Sequence, residues 1–206
     1  MIKKLLFFAQ NRWLLLLFSG LSFVAYGGLV WLDRRQGTLR GAYTPQTIVW
    51  YIVAFGAYLC LLAVNERQPL TRRWLWGGAI IWRVMLLFTT PTLSDDIYRY
   101  LWDGYVATQG VSPYAYAIDA PELDYLDIPQ RDQANNSWMA SPYLPAAQAL
   151  FFGVATAFPL QPVFMQAVMV IIELGAAWLL ARLLALTLLP ARRLLIYLWN
   201  PLVVVE

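Results

Sequence analysis

Five windows of almost unbroken apolar character, residues 13–32, 47–64, 74–90, 143–160 and 163–189, constrain this chain more than anything else in it, and a sixth begins near 192. About 17 to 25 apolar residues carry a helix across the roughly 30 Å of bilayer hydrocarbon. Charged residues make up 13% of the chain, against about a quarter in soluble domains. The expectation is an all-α, polytopic transmembrane protein of about five to six spans. The basic start, MIKKLLFFAQNRW, resembles the n-region of a signal peptide. The apolar core after it is too long for one, however, and no small-residue cleavage site follows, so a retained first span is expected. The last window, RRLLIYLWNPLVVVE, stops at Glu206 before completing a span. That stop suggests the front portion of a longer protein, or one half of a split one.

The remaining composition excludes several kinds of chemistry. A net charge of +3, with its basic residues in short clusters between apolar windows, does not fit nucleic-acid binding. With no histidine and a single cysteine, Cys60, the chain has no disulfide and no thiolate metal site, and acid/base work falls to carboxylates, Lys or Tyr. An N-terminus in the cytoplasm puts Lys3, Lys4, Arg12, Arg67, Arg72 and Arg73 inside, and Arg34, Arg35, Arg40, Arg99 and Arg131 outside. Arg192 and Arg193 would also fall outside if both later windows cross.

The long polar stretch, 91–142, divides the chain: three spans over 1–90, this loop outside the membrane, and two to three further spans over 143–206, the last cut off. The loop holds Asp95, Asp96, Asp103, Asp119, Glu122, Asp124, Asp127 and Asp132, eight of the chain's twelve acids. Residues 94–109 read as an amphipathic juxtamembrane helix, and 110–142, punctuated by Pro113, Pro121, Pro129 and Pro142, as an irregular loop. Ser94 is a natural N-cap, and Asp95 and Asp96 would then occupy the first helical positions, where the helix dipole favours negative charge. The pair therefore reads either as a helix start or as a site. Asp96, Arg99, Tyr100 and Asp103 fall at i, i+3, i+4 and i+7 on one helix face, where Arg99 could bridge the two acids. Arg83 and Glu173 are ionisable groups inside apolar windows. They read as a structural pair, or as the charges of a transporter subunit. Asn200, in the WNPL element, is placed for an interhelical hydrogen bond.

The run SDDIYRYLWDGYVATQGVSPYAY, residues 94–116, resembles the signature that follows an early span in GT-C class membrane glycosyltransferases, in particular bacterial polyprenyl-phosphate-mannose-dependent mannosyltransferases. An acidic pair, an R-Y-x-W-D-G run, a G-x-x-P-Y turn, the later entry SPYLPAAQALFF and the WNPL element at Trp199–Leu202 all carry the likeness. Tyr105 departs from it, standing where relatives often carry a basic residue.

The resemblance implies transfer of a sugar, mannose by this likeness, from a polyprenyl-phosphate donor to a lipid-linked or cell-envelope acceptor, at the outer face of the cytoplasmic membrane and with inversion. It makes Asp95 or Asp96 the catalytic base, and Arg99, Tyr100 and Asp103 substrate-binding residues, with Arg99 facing the leaving phosphate. No cofactor is required by it, although a divalent cation bridging the acids would suit carboxylate oxygens. The alternative is a non-catalytic membrane partner of a second multispan subunit.

Overall fold

Helices supply all the regular structure among the described residues, which are 12–91 and 94–205 of this computed structural model. Lys3, Lys4 and Glu206, on which two expectations above rest, lie outside them. The chain divides into two units, Met1–Thr90 with Ile172–Glu206, and Pro91–Ile171.

In the first unit, α1 (Arg12–Gln36), α2 (Thr44–Asn65) and α3 (Arg72–Leu86) follow one another. Gly37 ends α1 with a φ of 70° while its N–H bonds back to the Asp33 carbonyl, the left-handed turn that only glycine adopts without strain. A proline in the first turn starts α2, where its missing N–H is no loss. Thr71 caps α3 by accepting the Trp74 N–H at 3.3 Å. Gly28 lets α2 approach α1, since a Cβ there would sit 2.4 Å from the Trp50 ring.

Helices α1 and α3 run parallel. Trp74 Nε1 donates to Ser19 Oγ at one end, the Tyr26 and Trp82 rings lie 5.4 Å apart midway, and Asp33 Oδ2 accepts the Thr90 N–H at 2.9 Å at the other end. The third window is thus a 15-residue helix, only about 22 Å long at 1.5 Å per residue. A turn through Thr89, whose N–H bonds the Leu86 carbonyl, brings the chain to Thr90 beside Asp33.

Three segments among the described residues, Arg12–Gln36, Gly41–Asn65 and Pro162–Leu186, are long and apolar enough to cross a membrane. The last of these, α7, belongs to the first unit from Ile172 onward. There it runs antiparallel to α3: Arg83 Nε bonds Glu173 Oε2 at 2.5 Å, and Trp178 shares a cleft with Arg72, Arg73 and Trp76.

The sixth window is not one helix. It forms a 3-10 turn (Ala191–Leu194), α8 (Leu195–Leu198) and α9 (Pro201–Val205). Pro201 cannot donate to a continuing helix, and the Leu202 N–H is diverted to Asn200 Oδ1 at 3.1 Å. The Leu198 carbonyl is thereby left for Arg83 Nη1, which it meets at 3.0 Å. Asn200 thus makes a local cap rather than the expected interhelical bond. The interhelical bond comes from Trp199, whose Nε1 donates to the Leu75 carbonyl at 2.8 Å while its ring lies where a Cβ on Gly78 would be. Arg192 also corrects the expected topology. It pairs with Glu66 at 3.0 Å and accepts from Asn65 through its carbonyl, so it lies at the same end of this unit as Arg67, Arg72 and Arg73.

The second unit carries α4 (Asp96–Thr108), α5 (Pro129–Gln133) and α6 (Pro145–Ala157). Helix α4 begins two residues later than expected and stops at Thr108, just ahead of Gly110, whose φ is 77°. Segment 110–142 is more ordered than its prolines suggest. It folds a 3-10 turn, Pro121–Leu123, and α5 around a small core of Trp102, Val106, Ile118, Leu123, Leu126 and Ala134. Arg131 knits that core by donating to the carbonyls of Ile118 and Leu123 while lying 5.5 Å over the Trp102 ring.

The window at 143–160 holds a helix shorter than the three of crossing length. Helix α6 has 13 residues, about 20 Å, and both its ends are tied to the same loop: Tyr114 Oη donates to the Tyr143 carbonyl at 2.7 Å, and Gln130 Nε2 to the Leu160 carbonyl at 2.6 Å. Its apolar face is used on α4, where Gly104 allows contact so close that a Cβ would lie 2.4 Å from the Phe151 carbonyl oxygen.

Candidate active site

The paired acids stand at the start of α4. Asp95 takes the cap position with no side-chain capping bond, and Asp96 is the first helical residue, its N–H 3.3 Å from Ser94 Oγ. Ser94 therefore carries the cap bond, and the two carboxylates turn elsewhere. Both meet Asn135, whose Nδ2 donates to Asp95 Oδ1 at 3.0 Å and to Asp96 Oδ1 at 2.6 Å. The acids are half-buried, so their remaining oxygen lone pairs keep access to a hydroxyl at the surface.

Beneath them lies a buried polar network. Arg99, 2% exposed, donates from Nε to Asp103 Oδ1 at 3.0 Å, from Nη1 to the Asn136 carbonyl at 3.2 Å and from Nη2 to the Met139 carbonyl at 2.9 Å. Asp103 Oδ2 accepts from Gln148 Nε2 at 2.8 Å, and that amide also bonds Ser141 Oγ. A buried charge is tolerated when it is paired and its donors and acceptors are satisfied. Asp103 meets that condition on both oxygens. Asn136 sits at φ 50°, a left-handed conformation that asparagine accepts better than most residues, and this aims its carbonyl at Arg99. The network thus fixes the Asn135–Met139 loop, and through it the amide that holds the acids.

Tyr100 stacks on Phe151 with centroids 4.5 Å apart and meets the Tyr143 ring edge-on at 5.1 Å. Burial, reinforced by the negative charge of Asp96, raises the Tyr100 hydroxyl above its ordinary pKa. Burial first, then Tyr100 and Asp96, raises Tyr143 as well, against the opposing pull of Arg99. Both hydroxyls are therefore neutral at physiological pH, fit to donate and accept hydrogen bonds but not to act as bases.

Helix α4 carries Asp96, Arg99, Tyr100 and Asp103, with Asp95 at its N-cap. Arg99 pairs with Asp103 rather than bridging to Asp96. Its guanidinium lies beneath the acids with its donors turned to carbonyls. Asn135, Ser141, Tyr143 and Gln148 were not anticipated. Gln148, a lone amide inside an apolar window, was the available signal. Among the described residues no cluster of three or more Cys, Asp or Glu is placed to hold a metal ion, and the Asn135 amide nitrogen bonds both carboxylates.

Apolar helices of crossing length, joined to a polar unit that presents two acids over a buried Arg99–Asp103 pair, define an all-helical membrane protein with a candidate acid/base site. Residues 19–206 match the family described as alpha-(1->6)-mannopyranosyltransferase, N-terminal domain. The chain belongs to that family, and with it to the mannosyl-transferring membrane glycosyltransferases. No curated protein and no solved structure matches it.

Proposed function

We propose that this domain transfers mannose from a polyprenyl-phosphate donor to a hydroxyl of a lipid-linked or cell-envelope acceptor, by a GT-C type inverting reaction at the outer face of the cytoplasmic membrane. The observation that carries the reading is the pair Asp95 and Asp96, half-buried, clear of capping bonds and held by one amide. One carboxylate takes the acceptor hydroxyl proton as the oxygen attacks the anomeric carbon. The bond from that carbon to the phosphate oxygen breaks, its electron pair leaves with polyprenyl phosphate, and the new glycosidic bond forms with inversion. The second carboxylate orients the acceptor or a sugar hydroxyl, and the neutral Tyr100 and Tyr143 hydroxyls are suited to sugar contacts.

Arg99 serves this site as a positioning residue, because its donors are turned to Asp103 and loop carbonyls. The charge distribution supports the orientation. In the first unit Arg12, Arg67, Arg72, Arg73, Arg182, Arg192 and Arg193 gather at one end, against Arg34, Arg35 and Arg40 at the other. The richer end is the cytoplasmic one by the positive-inside rule. Arg83 and Glu173, held against each other with Arg83 also bonded to two carbonyls, read as helix packing rather than as a relay.

The test is transfer of mannose from polyprenyl-phosphate mannose by membranes carrying Asp95→Asn or Asp96→Asn. Loss of positioned proton transfer lowers the rate by about 10²–10⁴-fold in the variant that removes the base. Full activity in both variants overturns the assignment.

A further inference from the structure

We propose that the cleft between the start of α3 and the second half of α7 binds the headgroup of an anionic glycerophospholipid. The cleft measures about 470 Å³ and is lined by Arg72, Arg73, Trp76 and Trp178. Both arginines are exposed, and among the described residues neither guanidinium has an ion-pair or hydrogen-bond partner. Glu66, the sole acid between residues 34 and 94, is taken by Arg192 at 3.0 Å. Arg182 lies 5.4 Å over the Trp178 ring and brings a third positive charge to the rim. Two adjacent uncompensated guanidiniums match the phosphate of a lipid in charge and in hydrogen-bond donors.

The walls distinguish a lipid from a soluble anion. Trp76 and Trp178 supply apolar faces of the kind enriched where headgroups meet hydrocarbon. Arg72, Trp76 and Ile80 fall at i, i+4 and i+8, so the same face of α3 continues from the charged mouth to an exposed isoleucine, 44% accessible, against which an acyl chain can lie. The occupant is therefore an amphiphile with a negative headgroup, seated in the leaflet on the arginine-rich side. A headgroup site there would fix the depth of α3, whose length alone leaves it short of the bilayer core.

The probe is dioleoyl phosphatidylglycerol, compared with dioleoyl phosphatidylcholine, added to the detergent-purified full chain and read by native mass spectrometry. The wild type should retain phosphatidylglycerol preferentially. Arg72→Gln with Arg73→Gln should weaken that retention by about 30-fold, the loss expected for two basic residues at an anionic surface. The Arg72→Lys, Arg73→Lys pair should keep most of it, and Arg34→Gln with Arg35→Gln should leave it unchanged. Equal retention of the two lipids by the wild type overturns the proposal, as do a Gln pair that binds like the wild type and an Arg34/Arg35 variant that loses as much. Complete displacement by millimolar glycerol phosphate would also overturn it, since an anion site would then suffice.

Discussion

Arg99 reaches its partners through a geometry that only a guanidinium has. Its Nε–H points along the helix to Asp103, while the two terminal nitrogens spread to carbonyls of the Asn135–Met139 loop. Lysine keeps the charge but not the planar fork. Arg99→Lys should therefore strand buried carbonyls at about 1–3 kcal/mol each and weaken a buried ion pair. We expect a marked fall in thermal stability in detergent, with the second unit opening first under limited proteolysis. A variant that melts like the wild type but binds the donor less tightly would return Arg99 to the phosphate. The Arg99–Asp103 pair was legible in the sequence because i, i+4 spacing on a helix leaves little choice. Asn135 was not, because it lies 39 residues from Asp96 in a segment whose prolines and polar residues predict only turns. Nor was the role of Gln148, because an amide inside an apolar window gives no sign of which distant carboxylate it will meet.

Helices α4 and α6 meet through a glycine, and that contact belongs to the element rather than to any one residue. Gly104→Ala should push the helices apart and cost about 1–3 kcal/mol by overpacking, because backbone at 2.4 Å cannot swing aside as a side-chain end can. Gly153→Ala, on α6, meets nothing within 4 Å. It should be neutral or stabilising by up to about 1 kcal/mol through helix propensity. Chemical denaturation followed by circular dichroism distinguishes the two, and equal effects would mean that the close approach is not formed. The start and stop of α4 were readable to within two residues from Ser94 and Gly110. The fate of 143–160 was not. Hydropathy alone does not distinguish a span from a helix that spends its apolar face on a neighbour, and hydrogen bonds such as those at Tyr143 and Leu160 leave no mark on it. The same ambiguity hid the break at Trp199–Asn200 less well, since Pro201 announces an interruption wherever it falls.

At the scale of the whole chain, the ties at the two ends of α6 predict on which side of the membrane the flanking segments lie. With five or six full spans, residues before and after 143–160 face opposite sides of the membrane. With both ends of α6 hydrogen-bonded to 110–133, they face the same side. The Glu66–Arg192 pair makes the matching statement for the first unit, since it puts the segment after α7 at the level of the α2–α3 connection. Cysteine accessibility in a Cys60→Ser background reads both. Ser112→Cys and Gln161→Cys should react with a membrane-impermeant maleimide from the same side in intact cells. Arg67→Cys and Arg193→Cys should likewise share a side. Opposite labelling of 112 and 161 would restore the fourth crossing, and would also move Arg192 and Arg193 away from the arginine-rich end. That outcome contradicts the Glu66–Arg192 pair, so the two cysteine pairs must succeed or fail together, and a mixed result would break the structure rather than only its orientation.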